Sequence, residues 1–202
     1  RNFHDRGLWR SAHLPAWSLF ERPVGIHGFG NISRQLVGLL QPFRPKIRVW
    51  DPFVPDDTLT PLGVGRAESL EALFKEADFL FECCALTPET EGIVNAELLA
   101  QLPDNAIFIN VGRGRLVDES ALADELSKER LRAGLDVFCK EPYPADGDLR
   151  GKNRLVAMPH LGGHTVDSRR FAGRVAIERM RAYLSGEVPD DVVNLDRFAR
   201  MT

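Results

Sequence analysis

Three short stretches of this 202-residue chain carry side chains able to hold an acid and move a proton: Asn110-Val111-Gly112-Arg113-Gly114, Asp136-Val137-Phe138-Cys139-Lys140-Glu141-Pro142 and Met158-Pro159-His160-Leu161-Gly162-Gly163-His164-Thr165. The fork of Arg113 can bind a carboxylate through two parallel hydrogen bonds, and His160 can exchange a proton near neutral pH. A carboxylate such as Glu141 can fix the imidazole tautomer and favour its charged form. Singly, each has an ordinary explanation: Arg113 as a surface arginine between turn glycines, Glu141 as a loop acid before Pro142, His160 as a satisfied histidine after Pro159. All three, however, follow predicted strands, and that joint placement favours an acid-base set with an anion anchor. His160 and His164 have the i, i+4 spacing of a metal pair, but Gly162 and Gly163 disfavour the helix that spacing needs, so no metal is expected.

A second constellation lies earlier, in Pro23-Val24-Gly25-Ile26-His27-Gly28-Phe29-Gly30-Asn31-Ile32-Ser33, an apolar strand running through a glycine turn into a helix with Ile32, Leu36, Val37, Leu39 and Leu40. Backbone N–H groups at such a helix start, where the dipole is positive, receive a pyrophosphate. Gly28 permits the tight turn and Gly30 a close approach to the phosphates, while Ser33 stands at the third position of the G-x-G-x-x-G pattern. Asp51 ends the next strand, Lys46 to Asp51, 18 positions after Ser33. That is close to the ~20 expected of an acid on the adenosine ribose. Asp51 could also be a turn residue before Pro52, but the two features in register favour a dinucleotide site.

The elements that must position these groups follow in order. Pro42 and Pro45 stop the first helix. A turn-rich stretch spans Pro52 to Gly65, and Ser69 caps a helix to Ala77 that leads into the buried strand Phe79 to Phe81. A short helix is predicted over Asn95 to Leu102, strands at Ala106 to Val111, Ala133 to Phe138 and Leu155 to Met158, and a helix over Glu119 to Lys128. The last helix, Val166 to Leu184, should pack as a final layer or cross towards another domain. Alternation of this kind implies an α/β fold, a doubly wound parallel sheet of Rossmann type with crossover helices on both faces and ligands entering at the strands' carboxyl ends. Residues 1–19, with Leu8, Trp9, Trp17 and Leu19, suit a linker or short edge helix, and 20–185 the main domain. The tail 186–202 is expected to return, as a strand, towards a part of the protein that is absent.

With 44% hydrophobic residues the chain can bury one sizeable core. A net charge of −3 with dispersed Lys and Arg offers no stripe for nucleic acid, and no apolar run has membrane-spanning length. Cys83, Cys84 and Cys139 form neither a disulfide framework nor a zinc pattern, so a cytoplasmic location is expected. The chain begins at Arg1 without an initiator Met, which suggests a truncated N-terminus.

From about Val24 to Leu184 the chain resembles the nucleotide-binding domain of the D-isomer-specific 2-hydroxyacid dehydrogenases. The motifs that carry the likeness are Leu86-Thr87-Pro88-Glu89-Thr90, Asn110 to Gly114 with Val117-Asp118 and Ala121-Leu122, Leu135 to Phe138 with Glu141-Pro142, and Pro159 to Gly163. The resemblance implies His160 as general acid/base, Glu141 as its partner and Arg113 as anchor of the substrate carboxylate and carbonyl. It implies NAD as cofactor, with Asn31 and Ile32 at the pyrophosphate, Asp51 at the ribose, contacts at Cys84 and Thr87, and Val111 and Gly112 along the nicotinamide. Asp136 would meet the carboxamide, and Arg113, His160 and Gly163 would border the cofactor. The implied reaction is hydride transfer between NAD(H) and a small D-2-hydroxy or 2-keto acid, in a homodimer whose substrate domain is largely missing here. Alternatives are an NAD-sensing corepressor-like module and a formate-dehydrogenase-like enzyme; the latter branch has glutamine at the position of Glu141. Ser33, His27, Cys83 and Ala85 depart from the family pattern, which usually has a third glycine, an apolar residue, a histidine and a proline there.

Overall fold

A computed structural model of the chain describes residues 18–189, 192–193 and 195–198. Seven parallel strands form one sheet in the order β3-β2-β1-β4-β5-β6-β7. They are β1 (Pro23–His27), β2 (Lys46–Trp50), β3 (Gly65–Arg66), β4 (Phe79–Glu82), β5 (Ile107–Asn110), β6 (Arg132–Leu135) and β7 (Leu155–Ala157). Helices α1 (Asn31–Leu40), α2 (Asp56–Leu59), α3 (Leu70–Glu76), α4 (Ala96–Gln101) and α5 (Glu119–Ser127) lie between strands, and α6 (Val166–Leu184) and α7 (Leu195–Phe198) follow the sheet. The strand order reverses between β1 and β4, which opens a crevice at their carboxyl ends.

Side chains alternate across the central strands, so each strand feeds two cores. Val24, Ile26, Ile47 and Val49 pack with Val37 and Leu40 of α1 on one face. On the other, Leu80 and Phe108 pack with Leu73 and Phe74 of α3, Leu98 and Leu99 of α4 and Leu122 of α5. The second face comes so close that a Cβ on Gly25 would lie 3.0 Å from that of Ala77. Helix starts follow the sequence chemistry: the side chains of Ser69, Asn95, Asp118 and Thr165 accept hydrogen bonds from the N–H of Ala72, Leu98, Ala121 and Ser168.

Three expectations need correction. The stretch 52–65 is not only turns, because α2 folds within it and β3 begins there, adding a short edge strand. No helix crosses from β6 to β7; residues 136–154 run as turns and loop. Among the described residues of the tail, Leu195–Phe198 form α7 and none forms a strand. Helix α6 has the predicted bounds, but none of its residues is buried, so it does not form a final layer on this sheet. The expected linker or edge helix at 1–19 lies outside the described residues except for Ser18 and Leu19, as do parts of the tail. Among the described residues no helix is long and apolar enough to cross a membrane.

Candidate active site

The β1–α1 turn is built for close approach. Gly28 has φ +81, and a Cβ there would sit 2.6 Å from Cα of Cys84, so the glycine turn and the loop after β4 meet backbone to backbone. Gly30 is the N-cap of α1 with no side-chain cap, and a Cβ on it would meet nothing within 4 Å. The helix start is therefore open. Ser33, at the third fingerprint position, is fully buried, and its hydroxyl donates to the Gly28 carbonyl at 2.6 Å. A small side chain that satisfies its own polar atom replaces the usual glycine without widening the packing.

Asp51 follows β2 directly and accepts from the N–H of Phe29 at 2.7 Å and of Phe53 at 2.9 Å. It thereby ties the glycine turn to the end of β2, and a carboxylate's remaining lone pairs leave it able to accept more. Of the cations that could favour a 2′-phosphate, Arg44, Lys46 and Arg48, two are engaged elsewhere: Arg44 pairs with Glu21 at 3.0 Å and Arg48 with Glu76 at 3.2 Å. On the facing side the Thr90 hydroxyl accepts from the Thr87 N–H at 2.7 Å and donates to the Ala85 carbonyl at 2.7 Å. This shapes the loop that carries Cys84 and Thr87. Gly28, Gly30, Asn31, Ile32, Asp51, Cys84 and Thr87 thus surround the crevice at the switch of strand order.

Arg113, Glu141 and His160 come from loops after β5, β6 and β7. His160 Nδ1 lies 2.7 Å from Oε2 of Glu141, whose Oε1 accepts from the Phe138 N–H at 2.9 Å. Burial pushes the Glu141 carboxyl up, but hydrogen bonds from His160 and Phe138 and the charges of His160 and Arg113 outweigh it and hold it below the usual carboxylate range. The arginine loop docks on the Glu141 loop through Gly114, where a Cβ would fall 1.8 Å from the Phe138 carbonyl carbon. Arg113 itself donates to the Gly112 carbonyl at 2.8 Å.

Two residues whose positioning roles the sequence did not reveal hold this arrangement. Asn110, buried at the end of β5, accepts from the Gly112 N–H and donates to the Arg113 carbonyl, both at 3.0 Å. Asp136 accepts from the N–H of Leu161 at 2.8 Å and of Gly162 at 2.9 Å, and its carbonyl accepts from His160 N–H at 2.8 Å. His160 is held at φ +54 by these bonds. Val111 lies beside the Gly112 turn, and the Gly163 carbonyl accepts from the Ser168 hydroxyl at 2.7 Å. His164 stacks edge-on against His160, with ring centroids 5.7 Å apart.

At β1 and β4 the structure shows a group of a kind that the sequence analysis did not anticipate. His27 and Glu82 are register partners, both buried, with Nδ1 and Oε2 2.6 Å apart. Oε1 of Glu82 accepts from the Cys84 N–H at 2.9 Å. Glu82 is in turn the register partner of Asn110, so a polar row crosses the ends of three central strands on one face. A histidine at the end of the apolar strand Pro23 to His27 and an acid directly after Phe79 to Phe81 were the signal in the sequence.

Comparison with known proteins bears on the fold and the family. The family model described as the D-isomer specific 2-hydroxyacid dehydrogenase NAD binding domain matches residues 1–162. D-3-phosphoglycerate dehydrogenase of Methanocaldococcus jannaschii is 34% identical over 191 residues, which cover 94% of this chain and 36% of that protein. Glyoxylate/hydroxypyruvate reductase B of Pectobacterium carotovorum is 44% identical over 126 residues, covering 62% of this chain and 39% of the relative. The chain thus spans little more than a third of these curated relatives. Among solved structures, a D-isomer specific 2-hydroxyacid dehydrogenase from Xanthobacter autotrophicus in complex with NADPH and MES superposes with a TM-score of 0.79 at 31% identity, covering 96% of this chain and 79% of that one. A phosphoglycerate oxidoreductase from Rhizobium etli gives 0.81 at 29% identity, with 93% and 60% covered. With its parallel sheet, open glycine-capped helix and matched sequence, this chain belongs to the family of D-isomer specific 2-hydroxyacid dehydrogenases, as a NAD binding domain.

Proposed function

We propose that this chain is the dinucleotide-binding and catalytic half of an oxidoreductase that interconverts a small D-2-hydroxy acid and its 2-keto acid. The observation that carries the reading is the 2.7 Å pair of His160 and Glu141 beside Arg113 at the carboxyl ends of the strands. NAD(H), held by Gly28, Gly30, Asn31, Ile32, Asp51, Cys84, Thr87, Val111, Gly112, Asp136 and Gly163, would supply the hydride acceptor or donor. The open cap at Gly30 and the carboxylate of Asp51 fit it, the latter favouring ribose hydroxyls over a 2′-phosphate. Arg113 holds the substrate carboxylate and polarises the C2 carbonyl. His160 gives a proton to the keto oxygen in reduction and takes it from the hydroxyl in oxidation. Glu141 orients the ring from Nδ1 and stabilises its cation, leaving Nε2 for substrate.

In this reading residues 20–185 form the NAD-binding domain, 1–19 a linker or edge helix, and 186–202 a tail directed to a substrate domain supplied by the longer protein. The exposed apolar residues Phe171, Ile177, Met180 and Leu184 of α6 support such a partner domain. A cytoplasmic homodimer without nucleic-acid or membrane partners completes the proposal. Turnover of the full-length protein with NADH and a panel of 2-keto acids, beside a titration of NAD binding, tests it. Tight NAD binding without turnover of any keto acid would favour a sensing module instead.

A further inference from the structure

The His27 and Glu82 pair adjoins a third group that gives it a chemical use. A ligating atom each of His27, Glu82 and Cys84 lie within 4.8 Å of one another. A carboxylate-bound imidazole close to a thiol can stabilise the thiolate, the nucleophilic form of sulfur. We propose that Cys84 is a reactive thiol, activated by His27 and Glu82 and open to oxidation by hydroperoxides and to other soft electrophiles. Its modification also competes with occupation of the dinucleotide groove, a second part that rests on the function proposed above.

Burial disfavours the charged form of His27, but Glu82 and Cys84 beside the ring outweigh it and push its pKa up to about 10. A cationic ring beside the sulfur stabilises the negative charge that develops there. The other two thiols lack this help. Cys83 is pushed up to about 12 by burial, which its hydrogen bond to Ser33 does not offset. Cys139 is pushed up to about 11 by burial and by Glu119. Only Cys84 combines a neighbouring cation with partial exposure. The same three donors could be read as a metal cluster. A bound cation would displace the ring proton and shield the sulfur, so labelling with and without zinc separates the two readings.

With a hydroperoxide, the thiol proton leaves to solvent and the sulfur attacks the peroxide. An S–O bond forms, the O–O bond breaks, and the departing alkoxide or hydroxide takes a proton from water. Sulfur is oxidised by two electrons to the sulfenic acid, and the peroxide is reduced to alcohol or water. The Cys84 backbone backs directly on the Gly28 turn, so a group added to its side chain must disturb the contact that shapes that turn, and with it dinucleotide binding.

The test is iodoacetamide labelling of the full-length protein at pH 6 without dinucleotide, with each cysteine followed by peptide mass mapping and sulfenic acid trapped by dimedone after peroxide. Cys84 should react about tenfold faster than Cys139, since an ordinary thiol is almost wholly protonated there. The double variant H27I/E82L, which puts an apolar pair in their place, should lose that advantage while its circular-dichroism melt shows that it is folded. Should the double variant unfold, His27→Gln, which removes the cation and leaves Glu82 a neutral hydrogen-bond partner, replaces it with the same expectation. A Cys84 rate no faster than that of Cys139, an unchanged rate in the folded variant, or bound zinc protecting Cys84 would overturn the proposal. These rates do not depend on NAD. Added NAD should slow labelling, and NAD that binds by titration without slowing it would overturn the competition alone.

Discussion

At His160 the backbone occupies the left-handed region at φ +54, a conformation costing a side-chain-bearing residue on the order of 1–2 kcal/mol. Bonds to the Asp136 carbonyl and to Glu141 hold it there, so the strain is retained where a ring must be aimed. His160→Ala should lower turnover of the full-length enzyme by ~10²–10⁴-fold while NADH affinity, read by fluorescence titration, changes little. Glu141→Gln keeps hydrogen bonding to the ring but removes the charge. We expect the alkaline limit of keto-acid reduction to move to lower pH, and an unmoved pH-rate profile would mean that Glu141 is only structural. Buried His27 and Glu82 obey different arithmetic. Glu82→Gln should destabilise by about 3–5 kcal/mol in urea unfolding, because it strands a buried cation, whereas H27I/E82L should be neutral or stabilising. The folded pKa of His27 lies above its ordinary 6.5, so the pair's contribution is full below 6.5 and is lost as pH rises towards about 10. Melting temperature should fall across that window in the wild type more than in the double variant.

Among the elements, two glycines of the site separate packing from ligand approach. Gly114→Ala drives a Cβ into the Phe138 carbonyl, and the two loops that bring Arg113 and Glu141 together must part. A loss of about 1–3 kcal/mol or more is expected in denaturant unfolding, with a fall in turnover. Gly30 has φ −82 and open space beyond it, so Gly30→Ala should leave the melting temperature nearly unchanged. The same methyl stands at the open helix start, and NAD affinity should drop. Equal NAD affinity in that variant would remove the helix start from the pyrophosphate site.

For the molecule as a whole, a long helix with no buried residue and apolar side chains at Phe171, Ile177, Met180 and Leu184 is not stabilised by this sheet. Residues 20–185 produced alone should bind NAD yet turn over far more slowly than the full-length protein if the proposed second domain excludes water and completes the substrate pocket. Comparable rates from both would place the whole site within this chain. NADP titrated beside NAD should bind more weakly, as Asp51 repels a 2′-phosphate and Arg44 and Arg48 are already paired.

The sequence by itself determined the parallel α/β sheet, because buried strands, capped helices and the Gly-x-Gly turn are local signals that repeat in order. It also marked Arg113, Glu141 and His160, whose motifs follow strand ends, and α6, whose bounds lie between the Thr165 cap and the glycine after Ser185. Only tertiary structure decided the rest. Short β3 pairs through a register with β2 that no local pattern encodes. Ser33 replaces a glycine only because the Gly28 carbonyl stands 2.6 Å from its hydroxyl. Asn110 and Asp136 turn from motif members into braces once their loops fold back over the strand ends. His27 and Glu82 are 55 residues apart in the chain and become one buried pair only when β1 and β4 lie side by side.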